Sequence, residues 1–195
     1  MKLYFLFIGF FVFSLNLFFF SACSGRIPLE YSPVNSSSSI YQKINKTTGL
    51  TYTSHKSFLK ISTLSLGNRN RLYMYIVNNN EAKWIRIVFE YNGIDRSLFD
   101  KILIKNGKLE KLEWDFQNKD VNTKDRHGGI VHEKKDLLIT SEQLKKLMKL
   151  LKPRAVIEYR FTSNYKEEYP ITKESLESLL KLIEYYNLMP LSELK

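Results

Sequence analysis

The stretch Lys83 to Gly93 reads KWIRIVFEYNG, with Ile85, Ile87, Phe89 and Tyr91 at alternate positions and Arg86, Val88 and Glu90 between them. A period of two lines one face of an extended strand with apolar side chains and leaves the other face mixed. Arg71 to Asn79, RLYMYIVNN, has the same β-branched and aromatic character, and the polar run NNNEA divides the two. Together they predict a pair of antiparallel strands. Further on, KILIKNGKLEKLEWDF places Asn106-Gly107 between two β-type runs, with Leu112, Trp114 and Phe116 alternating against Lys111, Glu113 and Asp115. An Asn-Gly pair supplies the positive φ values of a type I′ turn, which predicts a second hairpin. A polar loop, NKDVNTKDRHGG, is expected to follow it.

The period then changes. ITSEQLKKLMKLLKP sets Leu144, Leu147, Met148 and Leu151 at helical spacing. Thr140 followed three residues later by Gln143 predicts a capping box, and Pro153 predicts the stop. RAVIEYRF, Arg154 to Phe161, is a strand, and ITKESLESLLKLIEYYN repeats the helical plan with Leu176, Leu179, Leu180 and Ile183 as its apolar stripe. The two helical segments align without gaps, but two copies fall short of a repeat array. The first is rich in lysine and the second in glutamate, so the two would complement each other if they lay side by side. The expected fold class is α+β: a mainly antiparallel sheet followed by a β-α-β-α C-terminal part with two amphipathic helices.

The N-terminus follows a different logic. Lys2 precedes an apolar run from Leu3 to Phe20, broken only by Gly9, Ser14 and Asn16, and Ser21 and Ala22 lead to Cys23, the one cysteine of the chain. A cation, an apolar stretch and small residues make a secretory signal. Phe20-Ser21-Ala22-Cys23 resembles the lipobox of bacterial lipoproteins, in the relaxed form familiar from spirochaetes, where leucine is not required. The resemblance implies cleavage between Ala22 and Cys23 and a diacylglyceryl and acyl group on Cys23. Anchorage by several acyl chains is effectively permanent, at about 0.8 kcal/mol per buried methylene. The expected organisation is residues 1–22 as signal peptide, 23–47 as lipidated cysteine and Ser/Asn/Pro tether, and 48–195 as a single domain. A modified Cys23 would leave no thiol for a disulfide, for metal binding or for nucleophilic catalysis.

Charge is uneven along the 195 residues, which carry a formal net charge of +10. From Tyr31 to Asn80 there is no Asp or Glu, and the cations are Lys43, Lys46, Lys56, Lys60, Arg69 and Arg71. A basic segment beside a membrane is drawn to anionic headgroups at about 1 kcal/mol per charge. These six residues are therefore the expected contact with an anionic lipid or an acidic polymer, against the plain alternative of a solvated basic face. Tyr41, Tyr52, Tyr73 and Tyr75 lie in or near the same stretch, but packing is expected of them and nucleic acid is not an expected partner.

Residues with catalytic potential are few. His127, His132 and Glu133, near Asp125, are donors that zinc accepts, but their spacing matches no common ligand pattern, and His55 is remote. Asp95, Asp100, Asp115 and Asp120 would form an acid pair only if folding joined two of them. Ser36 to Ser39 lack a glycine elbow, and no phosphate-cradling glycine loop occurs. No enzyme activity, cofactor or metal is expected on these grounds. The order of Trp84 with Arg86, Asn106-Gly107, Arg160-Phe161, Tyr165 or Tyr169, Ile171-Thr172 and a final helix resembles a domain of bacterial lipoproteins of unknown function. The expectation is a lipid-anchored cell-envelope protein acting as a binding or assembly module. The alternatives are a surface-exposed adhesin whose basic face meets acidic glycans, and an envelope enzyme.

Overall fold

The computed structural model describes residues 30–59, 70–79, 81–94, 99–108, 110–116, 125–127, 130–161 and 164–189. Cys23, Lys60 and Arg69, Asp95 and Asp120, and the whole leader therefore lie outside the described residues. Seven strands form one sheet: β1 (Ser32–Pro33), β2 (Ile40–Ile44), β3 (Thr51–His55), β4 (Arg71–Asn78), β5 (Lys83–Ile94), β8 (Asp125–His127) and β9 (Ile130–Leu138), in the order β1-β2-β3-β4-β5-β9-β8. Four form a second: β6 (Phe99–Asn106), β7 (Glu110–Asp115), β10 (Val156–Phe161) and β11 (Lys166–Pro170), in the order β11-β10-β6-β7. Every pairing is antiparallel. A single helical turn, α1 (Lys56–Leu59), follows β3, and two longer helices are α2 (Ser141–Leu150) and α3 (Lys173–Leu188). The α+β class and the strands-then-helices order hold.

The alternation in β5 works as read. Ile85, Ile87, Phe89 and Tyr91 are buried, and the register sets Leu72, Met74 and Ile76 of β4 beside them. The inner face of β5 meets the second sheet through its rings. Phe89 lies 5.2 Å from Trp114, and Tyr91 lies 5.4 Å from Tyr159 and 5.2 Å from Phe161. Tilted and edge-on arrangements at these separations are the favourable ones for aromatic quadrupoles. Helix α2 packs on β6 and β7, and α3 on β3 and β4. One continuous apolar cluster thus joins both sheets and both helices. Because the helices pack mainly on different sheets, the charge complementarity expected of them is not what holds them.

Thr140 caps α2 through a complete capping box with Gln143. The buried stripe of α2 is Leu144, Leu147 and Leu150, with Leu151 just beyond, while Met148 is exposed. In α3 the buried residues are Ser178, Leu179, Leu182 and Ile183. Leu180, expected on the apolar stripe, is 36% exposed and Leu182 is 0% exposed. The period was right and its phase was off on that helix.

Four further expectations are corrected. The sheet begins inside residues 24–47, read as a tether: β2 pairs with β3 from Ile40↔His55 to Ile44↔Thr51, and Ile40 is 6% exposed. The β2–β3 turn is closed by Asn45, whose side chain accepts from the N–H groups of Thr47 and Thr48, and by Gly49 at φ +70°. The Asn106-Gly107 turn is not type I′. Asn106 pairs with Glu110, so three residues form the loop, and among its described residues only Gly107 (φ +78°) takes a positive φ. The polar loop after β7 contains strand β8, which pairs with β9. Finally, the β-α-β-α plan of the C-terminal part gains one strand, because the polar stretch KEEYP is β11, the edge partner of β10.

Candidate functional site

Strand alternation gives the seven-stranded sheet a second face, opposite the core. On it stand Tyr41 and Lys43 of β2, Tyr52 and Ser54 of β3, Tyr73, Tyr75 and Val77 of β4, Trp84, Arg86, Val88 and Glu90 of β5, and Lys134, Asp136 and Leu138 of β9. Among the described residues, neither long helix packs on this face. The tyrosines and Trp84 are half-buried, and Leu138 is 54% exposed.

Two of the tyrosines, Tyr73 and Tyr75, are fixed by their hydroxyls. Tyr75 donates to Asp136 at 2.6 Å, and Arg86 donates to the same carboxylate at 2.8 Å and to the Asp136 carbonyl at 3.0 Å. Tyr73 donates to Glu90 at 3.0 Å, and Arg71 and Lys134 sit over the Tyr73 ring at 5.5 and 5.7 Å. Tyr52 lies 6.2 Å from Tyr75 with the rings tilted by 32°. At the sheet edge Lys43 pairs with Glu30 at 2.8 Å and covers the Tyr31 ring at 5.8 Å. Burial, then the adjoining carboxylates, push the phenols of Tyr73 and Tyr75 far above their ordinary value, so both remain neutral donors. The result is a fixed aromatic tray. Its cations Lys43, Arg71, Arg86 and Lys134 outnumber Glu30, Glu90 and Asp136 by one. Such a surface can stack the apolar faces of sugar rings or similar planar groups and offer hydrogen bonds at their rims.

The expected basic set is dispersed by the fold. Lys43 and Arg71 stand on the tray, Lys46 is exposed in the β2–β3 turn, and Lys56 is exposed at the start of α1. A segment without carboxylates in sequence acquires them in space: Glu30 reaches Lys43, and Glu90 lies 3.6 Å from Arg71. Sequence reasoning missed Arg86, Lys134 and Asp136. Their positions beside Tyr73 and Tyr75 follow from the register of β5 with β9, which joins residues about fifty apart in sequence.

Of the metal set, Glu133 is buried and its carboxylate accepts from the Phe99 N–H at 3.2 Å. The backbone pairs Asp125 with His132 and His127 with Ile130, and the side chains of Asp125, His127 and His132 lie outside the described residues. Among the described residues no group of three His, Cys, Asp or Glu is placed to hold a metal. Of the four aspartates, Asp115 is ion-paired with Lys101 at 3.1 Å.

His55, set aside as remote, is 6% exposed between β3 and α3. Its Nδ1 lies 2.8 Å from the Ser57 hydroxyl and accepts from the Ser57 N–H at 3.3 Å. Ser57 Oγ lies 2.8 Å from Ser178 Oγ, which donates to the Glu174 carbonyl. Nε2 is buried without a hydrogen-bond partner, so no carboxylate orients the ring as a catalytic triad requires. A pocket of about 190 Å³ beside it is lined by Lys56, Glu174, Glu177 and Lys181.

No helix among the described residues is long and apolar enough to cross a membrane. No family model, curated protein or solved structure matches the chain.

Proposed function

We propose that the protein is a lipid-anchored binding module of the cell envelope, tethered through Cys23, whose tyrosine tray takes a polymer of sugar rings bearing sparse negative charge. The observation that carries the reading is the fixed pair Tyr73–Glu90 and Tyr75–Asp136 on a sheet face that neither long helix packs on. A rigid aromatic loses little conformational freedom when it binds, so its contact area translates efficiently into affinity. The single excess cation favours an acidic polymer over a neutral one without demanding a dense polyanion. The expected contact with anionic surfaces therefore moves from a run in the sequence to this face.

The full chain in detergent is co-sedimented with insoluble acidic and neutral polysaccharides. Tyr52→Ala combined with Trp84→Ala is expected to reduce retention at least tenfold while leaving the urea midpoint nearly unchanged, because both rings are half-exposed. Undiminished retention would remove the tray as the binding surface. The anchor is tested separately: Cys23→Ser is expected to move the protein out of the detergent phase or to leave the precursor uncut.

A further inference from the structure

A second feature lies on the other sheet and is independent of the tray. A cleft of about 640 Å³ opens between β7 and α2, lined by Glu110, Lys111, Glu142, Lys145, Lys146, Lys149 and Leu150. We propose that this cleft binds a compact anion carrying two or more phosphate groups, held by Lys145, Lys146 and Lys149 with Lys111 across from them.

The helix period assembles the cluster. Residues 142, 145, 146 and 149 are separated by three, four and seven positions, which places them on one stripe. Lys145 and Lys149 stand about 6 Å apart along the axis, and lysine stems are flexible enough to converge on neighbouring phosphates. All three lysines of α2 are exposed. None of the described carboxylates lies within ion-pair distance of them, and Lys111 alone of the four has a partner, Glu113 at 2.8 Å. The contrast with the outer face of the same sheet is plain. There Lys101 meets Glu113 and Asp115, Lys105 meets Glu158 and Glu168, and Arg160 meets Glu158. The fold pairs the cations of that face, Lys111 included, and leaves Lys145, Lys146 and Lys149 of α2 unpaired beside a concave space. Lys149, in the last turn, also complements the helix dipole, but that reason does not extend to Lys145 and Lys146.

The cleft is also held at fixed width. The capping box sets one end of α2. At the other end the Asn106 amide, on the tip of the β6–β7 hairpin, donates to the carbonyls of Leu150, Lys152 and Pro153 at 3.2–3.3 Å. Leu144, Leu147 and Leu150 anchor the helix in the core. Preorganised cations lose less on binding than cations on a mobile segment. Phosphate is favoured over carboxylate by the lining itself: lysine acts as a point charge with three donors, whereas bidentate recognition of a carboxylate calls for arginine, and none is among the described lining residues.

The test is acetylation footprinting of the full chain held in phosphatidylcholine nanodiscs, read lysine by lysine by mass spectrometry. One arm adds tripolyphosphate; the other replaces part of the lipid by one with a bisphosphorylated headgroup. The expected result is that acetylation of Lys145, Lys146 and Lys149 slows at least fivefold in one arm or both. Protection should fade as salt rises, and Lys46 and Lys181 should not change. The arm that protects identifies a free or a membrane-borne phosphate source. In Lys146→Gln/Lys149→Gln, protection of the remaining Lys145 is expected to disappear. Protection in neither arm, equal slowing at Lys46 and Lys181, or Lys145 protection that survives in the double variant would each overturn the proposal.

Discussion

The side-chain amide of Asn106 donates to the main-chain carbonyl of Leu150 at 3.2 Å, so a hairpin tip closes the C-terminal end of a helix more than forty residues away. The last carbonyls of a helix have no partners within it, and the Asn106 amide reaches that of Leu150, along with those of Lys152 and Pro153 just beyond the helix. The other long helix is closed in a related way: Lys83 of β5 donates to the carbonyls of Tyr186 and Met189. In each case one side chain of a sheet fixes the exit of a helix that packs on that sheet.

Asn106→Ala is therefore expected to destabilise the protein by about 1–2 kcal/mol, the range for a lost capping interaction. Asn106→Asp should cost more, since it places a negative charge at the negative end of the dipole. Urea denaturation gives the magnitudes, and faster amide exchange in the last turn of α2 locates the effect. Equal stability of the wild-type and Ala proteins would show that the cap is ornamental.

The two leucines of α3 should respond very differently. Leu182→Ala removes a fully buried side chain and is expected to cost about 2–5 kcal/mol, whereas Leu180→Ala should stay within about 1 kcal/mol of wild type. Chemical denaturation of the two variants side by side settles it, and similar losses would mean that the helix sits in a different rotation.

His55 should make stability fall on mild acidification. Burial, then the charges of Lys181 and Lys56, hold its pKa below the usual histidine value, with Glu174 opposing. The folded protein therefore binds its proton less readily than the unfolded chain. Stability is complete above about pH 6.5 and declines as pH drops below it toward the folded pKa. Protonation also removes Nδ1 as the acceptor of the Ser57 N–H. His55→Gln is expected to flatten the decline between about pH 7 and pH 5, measured by urea midpoints; an unchanged slope would assign it to other groups.

Glu158 works at lower pH. Burial raises its pKa, but the hydrogen bonds from Lys105 and Arg160 outweigh burial and hold the carboxyl down at about 2. A depressed carboxylate stabilises the fold above its unfolded value near 4.5 and loses that contribution as pH falls toward 2. Glu158→Gln should be less stable at neutral pH and should show a shallower acid limb. Parallel curves for the two proteins would contradict the pairing.

Much of this architecture was legible because side-chain period and burial agree. Ile85 to Tyr91 and Leu112 to Phe116 face the core as their alternation says, and Thr140 with Gln143 starts α2 where the capping pattern places it. The failures have physical causes. Strand β2 has apolar residues only at its ends apart from Tyr41, and β11 is an edge strand built from charged residues, so neither carries a period. Asn106 looked like a turn residue because its long-range use as a cap leaves no local trace. The tray was half visible, since Tyr41, Tyr52, Tyr73 and Tyr75 are conspicuous. Their partners Glu90 and Asp136 became evident only with the register of β4, β5 and β9. The lysines of α2 were visible as a charge excess, but the cleft beside them exists only once β7 lies against the helix.

The early entry of β1 and β2 into the sheet bears on how far the protein stands from its anchor. Glu30, already paired to Lys43, stands seven positions after Cys23, and seven residues span at most about 25 Å even at full stretch. If Cys23 carries the lipid, the domain is on a short leash. It would patrol a shell about as deep as the hydrocarbon core of the bilayer is thick. Its partners would then be whatever occupies that shell, with the β1–β2 edge of the tray nearest the headgroups.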